Sequence, residues 1–367
     1  MSIPSVLSDG RTLGLIGAVL VLLGLCWAIV KILKRRPESG IDAAILETFR
    51  LRVRAWWILF ATLAAAFLLG HWPTVVLFGL LSFWALREFI TLTPTRPSDH
   101  HTLFWTFTLV PLVQFWLVGM AYNTPANPTR ADYYYGFYSI LIPVYAFLFI
   151  TAMIALAGDY KRFLERTAKI QCGLLICVYC LSYAPALLSL EKGGKAQERT
   201  RAVAVDAEKA SQEKNVESKQ PAANDDQDAG SGARLLFFFV LIVQLSDAFQ
   251  YAWSQLPNKH VIVPAINTTR TWEGLLGGTA SVMLVGALLW WATPFNGVYW
   301  WMSAVMSAVI ALMGFAGSIT MSAIKRDRGV KDYGTLIEGH GGVLDRIDSI
   351  CFAAPVFFHF TRWWLGA

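Results

Sequence analysis

Charge is the scarcest commodity in this 367-residue chain. Only 15% of its residues are Asp, Glu, Lys or Arg, against 55% hydrophobic ones. A soluble domain carries about a quarter charged residues, so an ordinary globular surface is excluded. Strand-like alternation of apolar and polar residues is also missing, which argues against a membrane β-barrel. No repeat of solenoid period is present. No GxxxxGK[ST] loop and no kinase signature occurs, so the common nucleotide-cradling motifs are absent. Cysteine is sparse, at five residues. Cys172, Cys177 and Cys180 share one apolar segment, and Cys26 and Cys351 lie in two others. No CxxC pairs with a second CxxC or a His cluster, so a disulfide framework is not supported and buried small hydrophobes are expected.

What is present is a series of apolar blocks about 20 residues long, enough to cross the roughly 30 Å hydrocarbon core of a bilayer. The expected fold is all-α, a polytopic integral membrane protein of about ten transmembrane helices. The blocks are Leu13–Leu33, Trp56–Gly70, Thr74–Thr91, Thr102–Tyr122, Tyr135–Leu156 and Lys169–Leu190, then Arg234–Trp253, Gly274–Trp291, Val298–Met321 and Ile347–Trp364. Lys and Arg gather in the loops 34–54, 87–98 and 159–169, which places those loops in the cytoplasm. The net charge of +6 suits this orientation bias better than nucleic-acid binding. Fifteen Trp agree with anchoring at the membrane interfaces.

Three parts follow. Residues 1–190 form an N-terminal block of about six helices. Residues 191–233 are polar, free of aromatic residues and expected to be a disordered linker. Residues 234–367 form a second membrane block with cytoplasmic loops at 254–272 and 322–346. The helix count brings these two loops to the same side.

The polar residues of this second block need an explanation. Ser246 and Asp247 sit in an otherwise apolar helix, where an ionisable group costs a few kcal/mol (about 3) unless it pairs or faces water. An interhelical hydrogen bond and a hydrophilic site both account for them. Thr271 and Glu273 suit a helix start, Thr271 as a cap and Glu273 at the positive dipole end. Exposed amides at such a start also make an anion site. The stretch 322–348 is dense in carboxylates, cations and Gly. Ser322, Lys325 and Arg326 have the spacing of one helix face, if the preceding helix continues. That face has the composition to grip phosphates. Lys331-Asp332 repeats a cation beside a carboxylate. Gly339-His340-Gly341-Gly342 frees the backbone to approach a ligand or turn sharply. Asp345 and Asp348 share a helix face, with Arg346 between them in sequence. Positive-inside bias accounts for the Lys and Arg but not for the carboxylates beside them. Carboxylates facing clustered cations is the composition of a metal–nucleotide site.

These residues resemble the phosphatidate cytidylyltransferases, the CDP-diacylglycerol synthases. That family's signature has Ser, Lys-Arg, Lys-Asp, a small residue, His-Gly-Gly and Asp-Arg-hydrophobic-Asp. Here the elements are Ser322, Lys325-Arg326, Lys331-Asp332, Gly334, His340-Gly341-Gly342 and Asp345-Arg346-Ile347-Asp348. Ser246-Asp247 and Arg270-Thr271-Trp272-Glu273-Gly274 are similar to a second family segment, which has Lys where Arg270 stands. Arg87-Glu88-Phe89 is faintly similar as well. Glu338 replaces a small residue or Pro, and Asn267-Thr268-Thr269 replaces Ser-Pro-Lys. These departures mark a divergent paralogue.

The resemblance implies transfer of CMP from CTP to phosphatidic acid, giving CDP-diacylglycerol and pyrophosphate. It implies catalytic roles for Lys325, Arg326, Lys331, Asp332, Asp345 and Asp348. Substrate would be bound by Ser246, Asp247, Thr271, Ser322, His340, Gly341, Gly342 and Arg346. Mg²⁺, with allowance for a second cation, would be held by Asp332, Asp345, Asp348 and Asp247. A homodimer and a bacterial inner-membrane location are implied too, with the site facing the cytoplasm. Another CTP-dependent enzyme acting on a different lipid phosphate or a polyprenol, a membrane anion transporter, and an inactive paralogue are the alternatives.

Overall fold

The computed structural model describes residues 60–67, 69–92, 96–122, 128–190, 231–256, 260–293, 301–334 and 341–365, with scattered positions from 14 to 58. Helix α1 is His71–Leu92 and α2 is His100–Tyr122. Helix α3 joins Pro128–Ile140, a π-helical stretch Leu141–Ala146 and Phe147–Leu156. Pro143 lies inside that stretch. Its missing N–H and its ring oppose the regular ladder, which accounts for the local widening. Helix α4 joins Phe163–Gly173, a π-helical stretch Leu174–Cys180, Leu181–Ala186 and a closing 3-10 turn Leu187–Ser189. The second block contains α5 (Ser231–Trp253), α6 (Trp272–Leu288), α7 (Trp301–Asp327) and α8 (Leu344–Leu365).

The apolar blocks of the sequence therefore become helices at nearly the expected places. Among the described residues, six helices are long and apolar enough to cross a membrane, rather than about ten. The difference has physical causes. Most of Leu13–Leu33 and part of Trp56–Gly70 lie outside the described residues. Helix α6 is apolar but has only 17 residues. Helix α8 has the length, but Asp345, Arg346, Asp348 and Arg362 dilute its apolar character. The expected all-α membrane fold holds, with one short hairpin added among the described residues. Strands β1 (Val261–Val263) and β2 (Asn267–Thr271) pair antiparallel in the loop between α5 and α6. The expected linker 191–233 lies outside the described residues up to 230, and its last three residues already belong to α5.

Both helical blocks contribute to one apolar core. Helix α4 is the most enclosed spanning candidate. Polar side chains tie its neighbours together where no water competes. Ser82 Oγ of α1 donates to the Cys177 carbonyl of α4 at 2.7 Å. Gln114 Nε2 of α2 donates to the Tyr138 carbonyl at 3.0 Å and to Ser182 Oγ at 2.9 Å. Cys172, Cys177, Cys180 and Cys351 are free thiols, with Cys177 and Cys351 buried, as expected of small hydrophobes.

In the second block, α5 packs most extensively on α6, and α7 on α8. Glycine permits the approach. A Cβ on Gly278 would lie 2.8 Å from the Gln250 backbone nitrogen, and one on Gly317 would lie 2.9 Å from the Asp348 carbonyl. The second contact holds α7 and α8 close enough for their polar ends to meet.

A separate ion cluster locks the turn between α3 and α4. Arg166, 5% exposed, forms a bidentate pair with Asp99, 1% exposed. It also donates to the Asp159 carbonyl at 2.7 Å. Arg96 pairs with Asp159 at 2.8 Å, and that guanidinium holds the Asp159 carboxyl below the usual carboxylate range. The Asp159 contribution to stability is therefore present at neutral pH and is lost as the pH falls through its depressed pKa. Arg166→Ala strands Asp99 without a counter-ion. The expected cost is about 3–5 kcal/mol, read as a lower unfolding temperature in detergent.

Candidate active site

Four polar ends converge in the second block: the last third of α5, the β hairpin, the end of α7 and the start of α8. Helix α7 continues through Ser322, Lys325 and Arg326 to Asp327. The i, i+3, i+4 face expected from the sequence is therefore real. Of the loop expected over 322–346, the first six residues belong to α7 and the last three, from Leu344, to α8.

Asp345, in the first turn of α8, organises that loop. Lys325 Nζ donates to its Oδ1 at 2.7 Å. Its Oδ2 accepts from Tyr333 N at 2.9 Å and from Gly342 N at 3.0 Å. Lys325 is 15% exposed and Asp345 is 8% exposed, so solvent screens the pair weakly. Gly341 adopts a φ of +80°, and a Cβ there would lie 2.8 Å from Asp345 Oδ2 and 3.3 Å from Asp332 Oδ1. The glycine thus brings Asp332 beside Asp345. Asp332 and Lys331 are exposed and make no hydrogen bond or ion pair among the described residues. Tyr333 is buried between them and the bundle, its hydroxyl donating to the Met321 carbonyl at 3.0 Å.

The second centre is built on Arg270 of β2. Its Nη1 donates to Gln250 Oε1 at 2.7 Å and its Nη2 to Ser318 Oγ at 2.5 Å. Nη2 also reaches Asp247 Oδ1 at 3.3 Å. Gln250 Nε2 in turn donates to Ser246 Oγ at 2.9 Å. Asp247, Arg270 and Lys325 all act electrostatically on Asp348. Among the described residues, Asp348 Oδ1 accepts only from its own neighbour, Ser349, through the backbone N–H at 2.7 Å and the hydroxyl. Arg270 and Asp247 form the ion pair of this centre, and Asp348 has none among the described residues.

The hairpin joins the two centres. Asn267 Nδ2 donates to Ser322 Oγ at 3.1 Å, and Arg326 Nε donates to the Ile266 carbonyl at 3.2 Å. Asn267 Oδ1 accepts from Thr269 N at 3.0 Å and from its hydroxyl at 2.7 Å, which fixes the turn into β2. The residues at 267–269 that depart from the resemblance thus latch the hairpin onto α7. Thr271 caps α6, its hydroxyl oxygen accepting from Gly274 N at 3.0 Å. Glu273 takes the His260 backbone N–H at 3.0 Å. The amides at this helix start are used by the protein itself.

The structure therefore gathers Ser246, Asp247, Thr271, Ser322, Lys325, Arg326, Lys331, Asp332, Gly341, Gly342, Asp345 and Asp348 at one end of the second block. Arg346 is exposed there as well. His340 and Glu338 lie outside the described residues. Among the described residues, no three His, Cys, Asp or Glu side chains form a ready metal cage. The carboxylates stand as two pairs, Asp332 with Asp345 and Asp247 with Asp348.

Sequence reasoning underrated two residues. Arg270 was visible only as a variant of the segment preceding α6. Glu88, in α1, reaches the loop from the N-terminal block and accepts the Val343 N–H at 3.0 Å and the Leu344 N–H at 2.8 Å. The available signal was a carboxylate near the end of an apolar helix, in Arg87-Glu88-Phe89.

The sequence profile of the cytidylyltransferase family matches residues 50–364. The chain belongs to the cytidylyltransferase family. An uncharacterized Escherichia coli protein, YnbB, is 32% identical over 317 residues, which is 85% of this chain and 87% of that protein. The phosphatidate cytidylyltransferase of Staphylococcus saprophyticus is 34% identical over 125 residues, covering 34% of this chain and 48% of that enzyme. That of Mycobacterium leprae is 36% identical over 129 residues, covering 34% of this chain and 39% of that enzyme. The chain thus spans less than half the length of these two enzymes, while its likeness to YnbB runs nearly end to end. Within the cytidylyltransferase family it is a divergent paralogue.

Proposed function

We propose that this protein transfers CMP from CTP to phosphatidic acid, releasing pyrophosphate and forming CDP-diacylglycerol. The observation that carries the reading is the Lys331-Asp332 dipeptide, without a partner among the described residues and exposed beside the Lys325–Asp345 pair at the end of the bundle. Membership of the cytidylyltransferase family and the named relatives support it.

In this reaction a phosphate oxygen of the lipid attacks the α-phosphorus of CTP. The new P–O bond forms as the bond to the bridging oxygen of the β-phosphate breaks, and pyrophosphate leaves with that electron pair. The nucleophile is already an anion, so a general base is not the main need. The need is to bring two anions together and to hold the leaving charge. Lys331, Arg326 and Lys325 supply fixed cations for the phosphates, Lys331 freely and the other two beside their protein partners. Ser322 accepts from Asn267, which leaves its hydroxyl hydrogen for a phosphate oxygen. Thr271 caps α6 with its oxygen and keeps its hydroxyl hydrogen. Arg346, Gly341 and Gly342 border the same loop.

The oxygen donors present fit Mg²⁺, which binds through one or two carboxylates and completes its shell with phosphates and water. Asp332, Asp247 and Asp348 would hold it. Asp345 would contribute less, because a carboxylate has about four acceptor sites and three are engaged by Lys325, Tyr333 and Gly342. When bound, the ion supplies charge neutralisation and orientation of the triphosphate. A second cation is compatible with the division of the carboxylates into two pairs. The lipid phosphate would enter from the inner leaflet and CTP from the cytoplasm.

Purified protein supplied with CTP, Mg²⁺ and single lipid phosphates in mixed micelles is expected to convert phosphatidic acid faster than polyprenyl phosphate or sphingosine phosphate. A preference for either of the latter would reassign the lipid.

A further inference from the structure

We infer that Glu88 is a positioning residue for the catalytic loop, setting its geometry from the opposite half of the chain. This rests on the function proposed above. Glu88 lies one turn before the end of α1 and is 5% exposed. Both of its carboxylate oxygens are committed to the loop: Oε1 accepts from Val343 N at 3.0 Å and Oε2 from Leu344 N at 2.8 Å. These are the first amides of α8, where a carboxylate also meets the positive end of the helix dipole.

The loop is shaped around this carboxylate. A Cβ on Gly334 would lie 2.8 Å from Glu88 Oε1, and a Cβ on Gly342 would overlap Oε2. Gly334 and Gly342 thus enclose the buried carboxylate, and each neighbours a loop residue of the site. Gly334 follows Asp332-Tyr333, and Gly342 donates its own N–H to Asp345. Displacing Glu88 would therefore shift Asp332, Asp345 and Lys325 together. It touches none of the proposed reacting groups itself. A further consequence is that the start of α8 is filled by a protein carboxylate. Its amides are not offered to a phosphate, which must rely on the cations.

The test compares wild type with Glu88→Gln, Glu88→Asp and Gly342→Ala, all purified in detergent. Hydrogen exchange read by mass spectrometry over the peptide containing Val343 and Leu344 reports the contact without any turnover. Faster exchange confined to that peptide is expected in Glu88→Gln. The kcat/KM for CTP should fall about 10–100-fold, mainly through kcat, with KM for the lipid little changed. Glu88→Asp should recover part of the rate, and Gly342→Ala should reproduce the loss. Unchanged exchange and turnover in Glu88→Gln would overturn the inference. Exchange rising throughout the chain in both Glu88 variants would overturn it too, by making Glu88 a residue of the fold at large. If wild type itself turns over no CTP while the local exchange still changes, the proposed function fails and the anchoring contact stands.

Discussion

Asp348→Asn is expected to lower CTP-dependent lipid product by about 10²–10³-fold, the usual scale for loss of one electrostatic contact to developing charge. The same substitution should raise the unfolding temperature. Arg270 is hydrogen-bonded to Asp247, whereas Asp348 makes no ion pair among the described residues. In the protein without substrate, the partly buried Asp348 carboxyl loses hydration that no ion pair among the described residues offsets. Asn keeps the oxygen that accepts from Ser349 N and removes the charge that must be desolvated. Greater stability with lost activity is the pattern expected where a site holds charges for its ligand rather than for its fold. Product measured with labelled CTP, and melting followed on the same preparation, check both halves. Near-normal turnover would remove Asp348 from the machinery. Lost turnover with lower stability would make it a structural residue.

Asp345→Ala should fail in the opposite way, losing stability and activity together. The substitution leaves Lys325 enclosed without its partner and strips Tyr333 N and Gly342 N of their acceptor. Breaking a buried pair from one side costs about 3–5 kcal/mol. A double substitution, Lys325→Met with Asp345→Leu, removes the stranded charge and should regain part of that stability. It should not regain turnover, because the loop has lost its acceptor and the phosphates one of their cations. The cycle of two single variants and the double variant measures the coupling, read as unfolding temperature and as turnover. Equal stability of Asp345→Ala and wild type would show that Asp345 does not hold the loop.

The helices of the bundle were legible because length and apolarity alone specify them. His71–Leu92, Ser231–Trp253 and Trp301–Asp327 lie close to blocks read from hydropathy. The shared face of Ser322, Lys325 and Arg326 was legible through spacing, given a helix that continues to Asp327. The β hairpin was not. Val261–Val263 is a three-residue strand, too short to show a period of two. Glu88 was opaque for a different reason: its partners, Val343 and Leu344, lie about 255 positions away. Arg270 appeared to belong to a helix start, yet its guanidinium reaches into the bundle to Gln250 and Ser318. Contacts of this kind depend on how helices pack, which no local pattern encodes. The division of the carboxylates into two pairs was equally hidden. Sequence placed Asp345 and Asp348 on one face, whereas Asp345 accepts from the loop at Tyr333 N and Asp348 accepts from its own neighbour Ser349.

Nucleotidyl transfer at this end of the bundle is read out with CTP labelled either at the α- or at the γ-phosphate, supplied with phosphatidic acid and Mg²⁺ to the purified protein. The expected result is α-label in the lipid, γ-label in pyrophosphate, and one pyrophosphate released for each CDP-lipid formed. Label from the γ-phosphate in the lipid would make the protein a kinase, and anion movement across proteoliposomes without CTP consumption would make it a transporter. Either result would rule out nucleotidyl transfer as the activity of this site.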